Sequence, residues 1–95
     1  MIKVVETAEF TDWVTGLRDA NARLRIAARI DRARNGNLGD VKFFDGIGEM
    51  RIDFGPGYRV YFVKRGSEIV ILLCGGDKRR QSADINKAKQ MAKEV

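Results

Sequence analysis

The sequence predicts an α+β domain: an antiparallel sheet with a helical hairpin on one face and a C-terminal helix. Apolar residues recur at helical spacing between Phe10 and Ala33. From Val41 to Cys74 the period changes to two, with glycine-bearing turns between the runs. A thin helical stripe returns after Ser82. The 95 residues carry no linker, repeat or low-complexity segment, so a single domain over 1–95 is expected.

Ile2 to Val5 opens the chain with a short β-like run. Thr7 is a helix cap, with Glu9 well placed in the first turn that follows. Phe10, Trp13, Val14 and Leu17 form one apolar face of the first helix. The segment Asp19–Asn21 breaks and recaps the chain. A second helix is expected over about 22–34, with Leu24, Ala27, Ile30 and Ala33 as its inner stripe and Asn35-Gly36-Asn37 as its stop.

Val41 and Phe43 begin a strand, and Met50, Ile52 and Phe54 alternate with Glu49, Arg51 and Asp53. Gly55-Pro56-Gly57 reads as a three-residue hairpin turn. Val60 and Phe62 alternate with Arg59, Tyr61 and Val63; Gly66-Ser67 turns the chain again. The run from Ile69 to Cys74 is apolar on both alternations, as in a central strand covered on both faces. The last helix is expected over 82–94 with Ser82 as cap. Its small stripe of Ile85, Ala88, Ala92 and Val95 predicts weak docking. The resulting order is β-α-α-β-β-β-α.

Pairing Phe54 with Tyr58 across the turn sets a register with Asp53 opposite Arg59 and Arg51 opposite Tyr61. These four residues then share one sheet face, and Met50, Ile52, Val60 and Phe62 share the other. The polar face is expected to stay open, covered at most by half. Strand-held Arg51 and Arg59 on it would be rigid phosphate clamps. Lys78, just past Gly75-Gly76, can swing toward the same face, and Arg79 and Arg80 add positive field. A purely structural use of the same residues, as a cross-strand ion pair and a cation–π contact that keep the face soluble, is the competing expectation. The stripe Arg25, Arg29 and Arg32 on the second helix reads mainly as a solvated face, and otherwise as a grip on nucleic-acid backbone.

The formal net charge is +5, which favours a polyanionic partner without choosing among RNA, DNA, anionic membrane and acidic protein. The chain has no histidine, which excludes a histidine triad or a histidine metal cluster. Asp77, Asp84 and Glu94 show no metal spacing, and Gly75-Gly76-Asp77-Lys78 is too short for a P-loop. The lone Cys74 cannot form an intramolecular disulfide and reads as a small buried hydrophobe. No run approaches a membrane span, and MIKVVETAEF lacks a signal-peptide core; a cytoplasmic location is expected. The chemistry still open to such a chain is RNA cleavage by the substrate's own 2′-hydroxyl, with protein cations stabilising the phosphorane.

The element order, the segment Arg51-Ile52-Asp53-Phe54-Gly55-Pro56-Gly57-Tyr58-Arg59-Val60-Tyr61-Phe62 and the ending Gly75-Gly76-Asp77-Lys78…Gln81…Asp84-Ile85…Ala88 resemble the RelE/ParE superfamily. The nearest branch is the HigB-like "addiction module killer" group. The resemblance covers nearly the whole chain. It implies the toxin of a type II toxin–antitoxin pair, a ribosome-dependent mRNA endonuclease neutralised by an antitoxin of the helix-turn-helix kind. Its partners would be that antitoxin, the ribosome and mRNA. No membrane is involved, no cofactor or metal is expected, and any oligomer forms through the antitoxin.

Carried over by position, Arg59 matches the family's strand arginine, Lys78 a catalytic or phosphate-binding cation of the last corner, and Arg51 a basic position of the preceding strand. In the reading this implies, Arg59 and Lys78 are catalytic, Arg51 binds the scissile phosphate with Arg79 and Arg80 beside it, and Tyr61 orients or donates a proton. The chain departs from RelE in having Asp53 where RelE has a second lysine, and in lacking a tyrosine near Asp84. Tyr61 or Asp53 is then left to move the proton, or ribosomal RNA does so. Two other functions share the resemblance: a ParE-type gyrase inhibitor without enzymatic activity, and a non-toxic interaction module.

Overall fold

Thr7, between the first strand and the first helix, makes two side-chain hydrogen bonds. Its Oγ1 accepts from the Phe10 amide at 3.1 Å and donates to the Leu73 carbonyl at 2.7 Å. It therefore caps the helix, as expected, and ties it to the sheet. The computed structural model describes residues 1–95. In chain order it contains β1 (Lys3–Glu6), α1 (Ala8–Thr15), α2 (Ala20–Arg34), β2 (Val41–Phe44), β3 (Ile47–Ile52), β4 (Tyr58–Arg65), β5 (Ile69–Asp77), a 3₁₀ turn (Lys78–Arg80) and α3 (Gln81–Ala92).

The class is α+β, with the five strands ordered β1-β5-β4-β3-β2. The sheet is mixed rather than purely antiparallel. β1 runs parallel to β5, and the remaining pairs are antiparallel. The α1–α2 hairpin supplies the crossover that a parallel pair requires.

One strand more is present than the period-two reading counts. Asp45 and Gly46, with φ of 50° and 81°, fold the stretch from Val41 to Ile52 into a hairpin of β2 and β3. Positive φ at both central residues is the turn geometry that matches strand twist.

The β3–β4 register differs from the expected one by two residues. Ile52 pairs with Tyr58, Arg51 with Arg59, and Glu49 with Tyr61. The connection is the five-residue loop 53–57, with Gly55 and Gly57 at positive φ. Asp53 is thus off the sheet and does not face Arg59. A slip of two preserves which face each strand residue occupies, so Arg51, Arg59 and Tyr61 still share a face while their partners change.

On one face, Phe10 of α1 and Ala22, Ile26, Ile30 and Ala33 of α2 pack on Met50, Val60, Phe62, Val70 and Leu72. The inner stripe of α2 is rotated from the expected one: Leu24 is 68% exposed, whereas Ile26 is buried. Asp19 caps this helix by accepting from the Asn21 and Ala22 amides, which starts it at Ala20.

On the other face, α3 lays Ile85, Ala88 and Met91 on Tyr61, Val63, Leu73 and Cys74. The expectation of an open polar face fails here, because small residues let α3 approach closely. No side chain caps α3; Asp77 instead caps the preceding 3₁₀ turn through the Arg79 amide. Ser82, the expected cap, lies inside the helix, and Val95 lies beyond it. No helix is long and apolar enough to cross a membrane.

Candidate functional site

The part of the α3-side face that the helix leaves open is its end at the β3–β4 loop. There Arg51, Arg59 and Lys78, with Asp40, Asp53 and backbone of Gly55–Gly57, line an open cavity of about 550 Å³. Arg51 and Arg59 stand opposite each other on β3 and β4, so two guanidinium groups project side by side from rigid strands. Lys78 comes from the corner after β5. Gly57, at a φ of 79°, lies between Arg59 and Lys78: a Cβ there would be in van der Waals contact with Arg59 Nη1 at 3.4 Å and Lys78 Cβ at 3.6 Å.

The three cations are held differently. Arg51 is bound at 2.7 Å by Asp40, and this raises its pKa above the ordinary arginine value. Arg59 is part-buried; its Nη1 donates to the Gly57 carbonyl at 3.1 Å, and its Nε lies 3.9 Å from Glu49 Oε2. Neither contact uses Nη2. Lys78 is exposed and makes no ion pair with the protein. Two exposed carboxylates, Asp40 and Asp53, temper the positive charge of the cavity.

The other expected site residues lie elsewhere. Tyr61 is fully buried under α3, and its hydroxyl meets no hydrogen-bond partner. Burial, reinforced by the nearby Glu49 charge, pushes its pKa up. A phenol in that position does not reach a ligand in the cavity. Arg79 turns back to Asp77 at 2.9 Å and holds that carboxyl below its usual range. Arg80 lines a separate cleft together with Trp13, Gly76 and Asp84.

The basic stripe of α2 is largely structural. Arg29 reaches across to the carbonyls of Leu38 at 3.1 Å and Asp40 at 3.3 Å, and to that of Arg51. It brackets the segment before β2 against β3. Arg25 stacks on the Phe54 ring, 4.9 Å from its centroid.

No protein-family model matches the chain, and no solved structure matches it. A Haemophilus influenzae protein described as an uncharacterized protein is 47% identical over 95 residues, covering 99% of this chain and 96% of its own. The chain belongs to the same family as that protein.

Sequence reasoning missed Glu49, which is only 2% exposed. Its Oε2 accepts a 2.9 Å hydrogen bond from Gln81 Nε2 at the start of α3 and faces Arg59. The alternation of Glu49, Arg51 and Asp53 placed it on the polar face, but nothing local showed that α3 would close over it. A buried carboxylate is costly unless donors and a cation surround it; here Gln81 and Arg59 do so. Glu49 therefore links β3, β4 and α3 behind the cavity.

Proposed function

We propose that this protein is the toxin of a type II toxin–antitoxin system and cleaves mRNA on the ribosome, as the resemblance of its segments 51–62 and 75–88 to the RelE/ParE superfamily implies. The observation that carries the reading is the convergence of Arg51, Arg59 and Lys78 on one open, polar cavity at the end of the sheet. Forked guanidinium groups on adjacent strands match the oxygens of a phosphodiester. The +5 net charge suits a polyanionic substrate and an acidic neutralising partner.

In this reading the 2′-hydroxyl of the bound RNA attacks the adjacent phosphorus. The bond from phosphorus to the 5′-oxygen breaks, leaving a 2′,3′-cyclic phosphate and a 5′-hydroxyl. Arg59 and Arg51 hold the non-bridging oxygens, and Lys78 stabilises the charge that grows on the departing oxygen. With Tyr61 buried, the proton from the 2′-hydroxyl passes to Asp53, an exposed carboxylate that lines the cavity. The 5′-oxygen takes its proton from water.

The test is growth arrest, with primer extension on mRNA from cells expressing the parent or Arg59→Ala at equal level. Arg59→Ala is expected to lower cleavage by a factor on the order of hundreds, the usual effect of removing one preorganised charge stabiliser. Full toxicity with unchanged cleavage sites would sink the mechanism. Toxicity without any mRNA cleavage in the parent would move the reading to gyrase inhibition; no growth arrest would favour a non-toxic interaction module.

A further inference from the structure

The Arg51–Arg59–Lys78 cavity is rich in N–H donors but poor in net charge. Three cations and two carboxylates, Asp40 and Asp53, line it, which leaves a formal charge of +1. Glu49, buried behind Arg59 with its Oε2 3.9 Å from Nε, draws on that remainder.

Asp40 is fixed in this wall by its backbone. Its carbonyl accepts from the Arg51 amide at 2.9 Å and from Arg29 Nη2 at 3.3 Å. Gly39 makes room for that grip: its φ is 71°, and a Cβ there would lie 2.8 Å from Arg29 Nη2. From this anchored position the Asp40 carboxylate accepts from Arg51 Nη2 at 2.7 Å. That hydrogen bond uses one nitrogen and leaves the other donors of the guanidinium to a ligand. Both side chains are about half exposed, at 44% and 57%, and an ion pair so exposed contributes little to stability. Its larger effect is on the field that an incoming anion meets.

The attraction of a site for an anion grows in proportion to the anion's charge. The cost of taking that anion out of water grows roughly with the square of the charge. Three uncompensated cations would offset the second charge of a dianion; a lining of +1 does not. An internal phosphodiester carries one negative charge, shared by two non-bridging oxygens that paired guanidinium groups match. A phosphate end, above its second ionisation near about pH 6, carries close to two.

We propose that Asp40, seconded by Asp53, is the specificity-determining residue of this cavity: its carboxylate makes the site accept the monoanionic phosphodiester inside a strand and turn away dianionic phosphate ends. The inference rests on the RNA-cleaving reading and adds to it the charge state that the site accepts. Free nucleotides, which end in dianionic or more highly charged phosphates, then compete poorly with an RNA strand.

The probes are the deoxydinucleotide thymidylyl-thymidine, a phosphodiester without a 2′-hydroxyl, and thymidine monophosphate, a phosphomonoester of the same base. Each is titrated into the protein at constant ionic strength, at about pH 5 and again at about pH 7.5, on either side of the second ionisation of the monoester. The amide NMR signals of Gly55 and Gly57 report from the cavity wall. The chain has no histidine, the side chain that ordinarily ionises in this window, and the dinucleotide, whose charge is constant, records any change in the protein itself.

In the parent, the dinucleotide is expected to bind alike at both pH values, and the monophosphate to lose about tenfold in affinity at the higher one. Asp40→Asn keeps an acceptor for Arg51 Nη2 and removes the charge. It is expected to reverse the response, so that the monophosphate binds tighter at the higher pH. Asp45→Asn makes the same change in net charge on the β2–β3 turn, where Asp45 pairs with Lys89, and should behave as the parent. Monophosphate affinity that rises with pH in the parent overturns the inference. So does an Asp40→Asn variant with the parent's response, or an Asp45→Asn variant that matches Asp40→Asn. In each of these cases binding of the dinucleotide leaves the RNA-cleaving reading standing, whereas Gly55 and Gly57 signals that neither probe moves sink both.

Discussion

Glu49 Oε2 lies 3.9 Å from Arg59 Nε and accepts a 2.9 Å hydrogen bond from Gln81, so one buried carboxylate holds the central arginine and the start of α3 together. Glu49→Gln keeps the shape but removes the charge facing Arg59. It is expected to leave the fold intact and to lower RNA cleavage by about tenfold, as Arg59 loses its orienting partner. Glu49→Ala should in addition destabilise the protein by ~3–5 kcal/mol, the usual effect of breaking a buried pair from one side. Urea unfolding beside the cleavage assay separates the two effects. Equal activity of Glu49→Gln and the parent would mean that Arg59 is positioned by the β3–β4 loop alone.

Gly48 lies directly under the Phe62 ring: a Cβ there would sit 2.3 Å from it. Phe62 is fully buried and has no direction in which to retreat. Gly48→Ala is expected to cost ~1–3 kcal/mol by overpacking. Gly36→Ala meets no atom within 4 Å and carries only the strain of its φ of 91°. It should therefore cost about 1 kcal/mol, near the low end for a left-handed residue. A chemical-denaturation midpoint for each variant gives the order; the reverse order would refute the packing account of Gly48.

Arg29 fastens the segment before β2 to β3 through three backbone carbonyls, and the same segment presents Asp40 to Arg51. Arg29→Ala should destabilise the fold by ~1–3 kcal/mol, since hydrogen bonds from a charged donor are among the stronger ones. Arg29→Lys should recover little of this, because a point charge cannot reach the three acceptors in one plane. Amide exchange over 37–42 should quicken in both variants. Unchanged protection there would show that the segment holds by its own pairing with β3.

Cys74 and Tyr61 are buried as neutral groups under α3, and burial raises both pKa values, that of Cys74 to about 11. A group whose pKa is higher in the folded state contributes stability below its unfolded pKa and loses it as pH rises. The unfolded thiol and phenol ionise from about pH 8.5 and 10. Stability is therefore expected to fall from about pH 8.5 upward, with the Cys74 share, on the order of 1–3 kcal/mol, spent by about pH 11. The measurement is urea unfolding at stepped pH. Cys74→Ala should show a shallower decline between pH 8.5 and 11; an identical slope would remove Cys74 from the account.

Much of this fold is set by local chemistry and was legible in the residues. Thr7 and Asp19 cap their helices because a short side-chain oxygen satisfies the first free amides wherever it stands. The faces of β3 and β4 follow from alternation alone, which is why Arg51 and Arg59 lie on one face even though the register slipped by two. The same alternation, with Lys78 after two glycines, brought the three cations of the cavity within view.

What only the tertiary structure decided is where water is excluded. The thin stripe of α3 looked too small to cover a sheet face. Yet small residues are what allow a helix to lie flat on Tyr61, Leu73 and Cys74, and that contact buries the phenol and Glu49. The pairing of β1 along only half of β5 joins residues some seventy positions apart, and no local period records it. It is this missing stretch of partner strand that opens the cleft at Gly76, since burial and pairing depend on elements that meet only when the chain is folded.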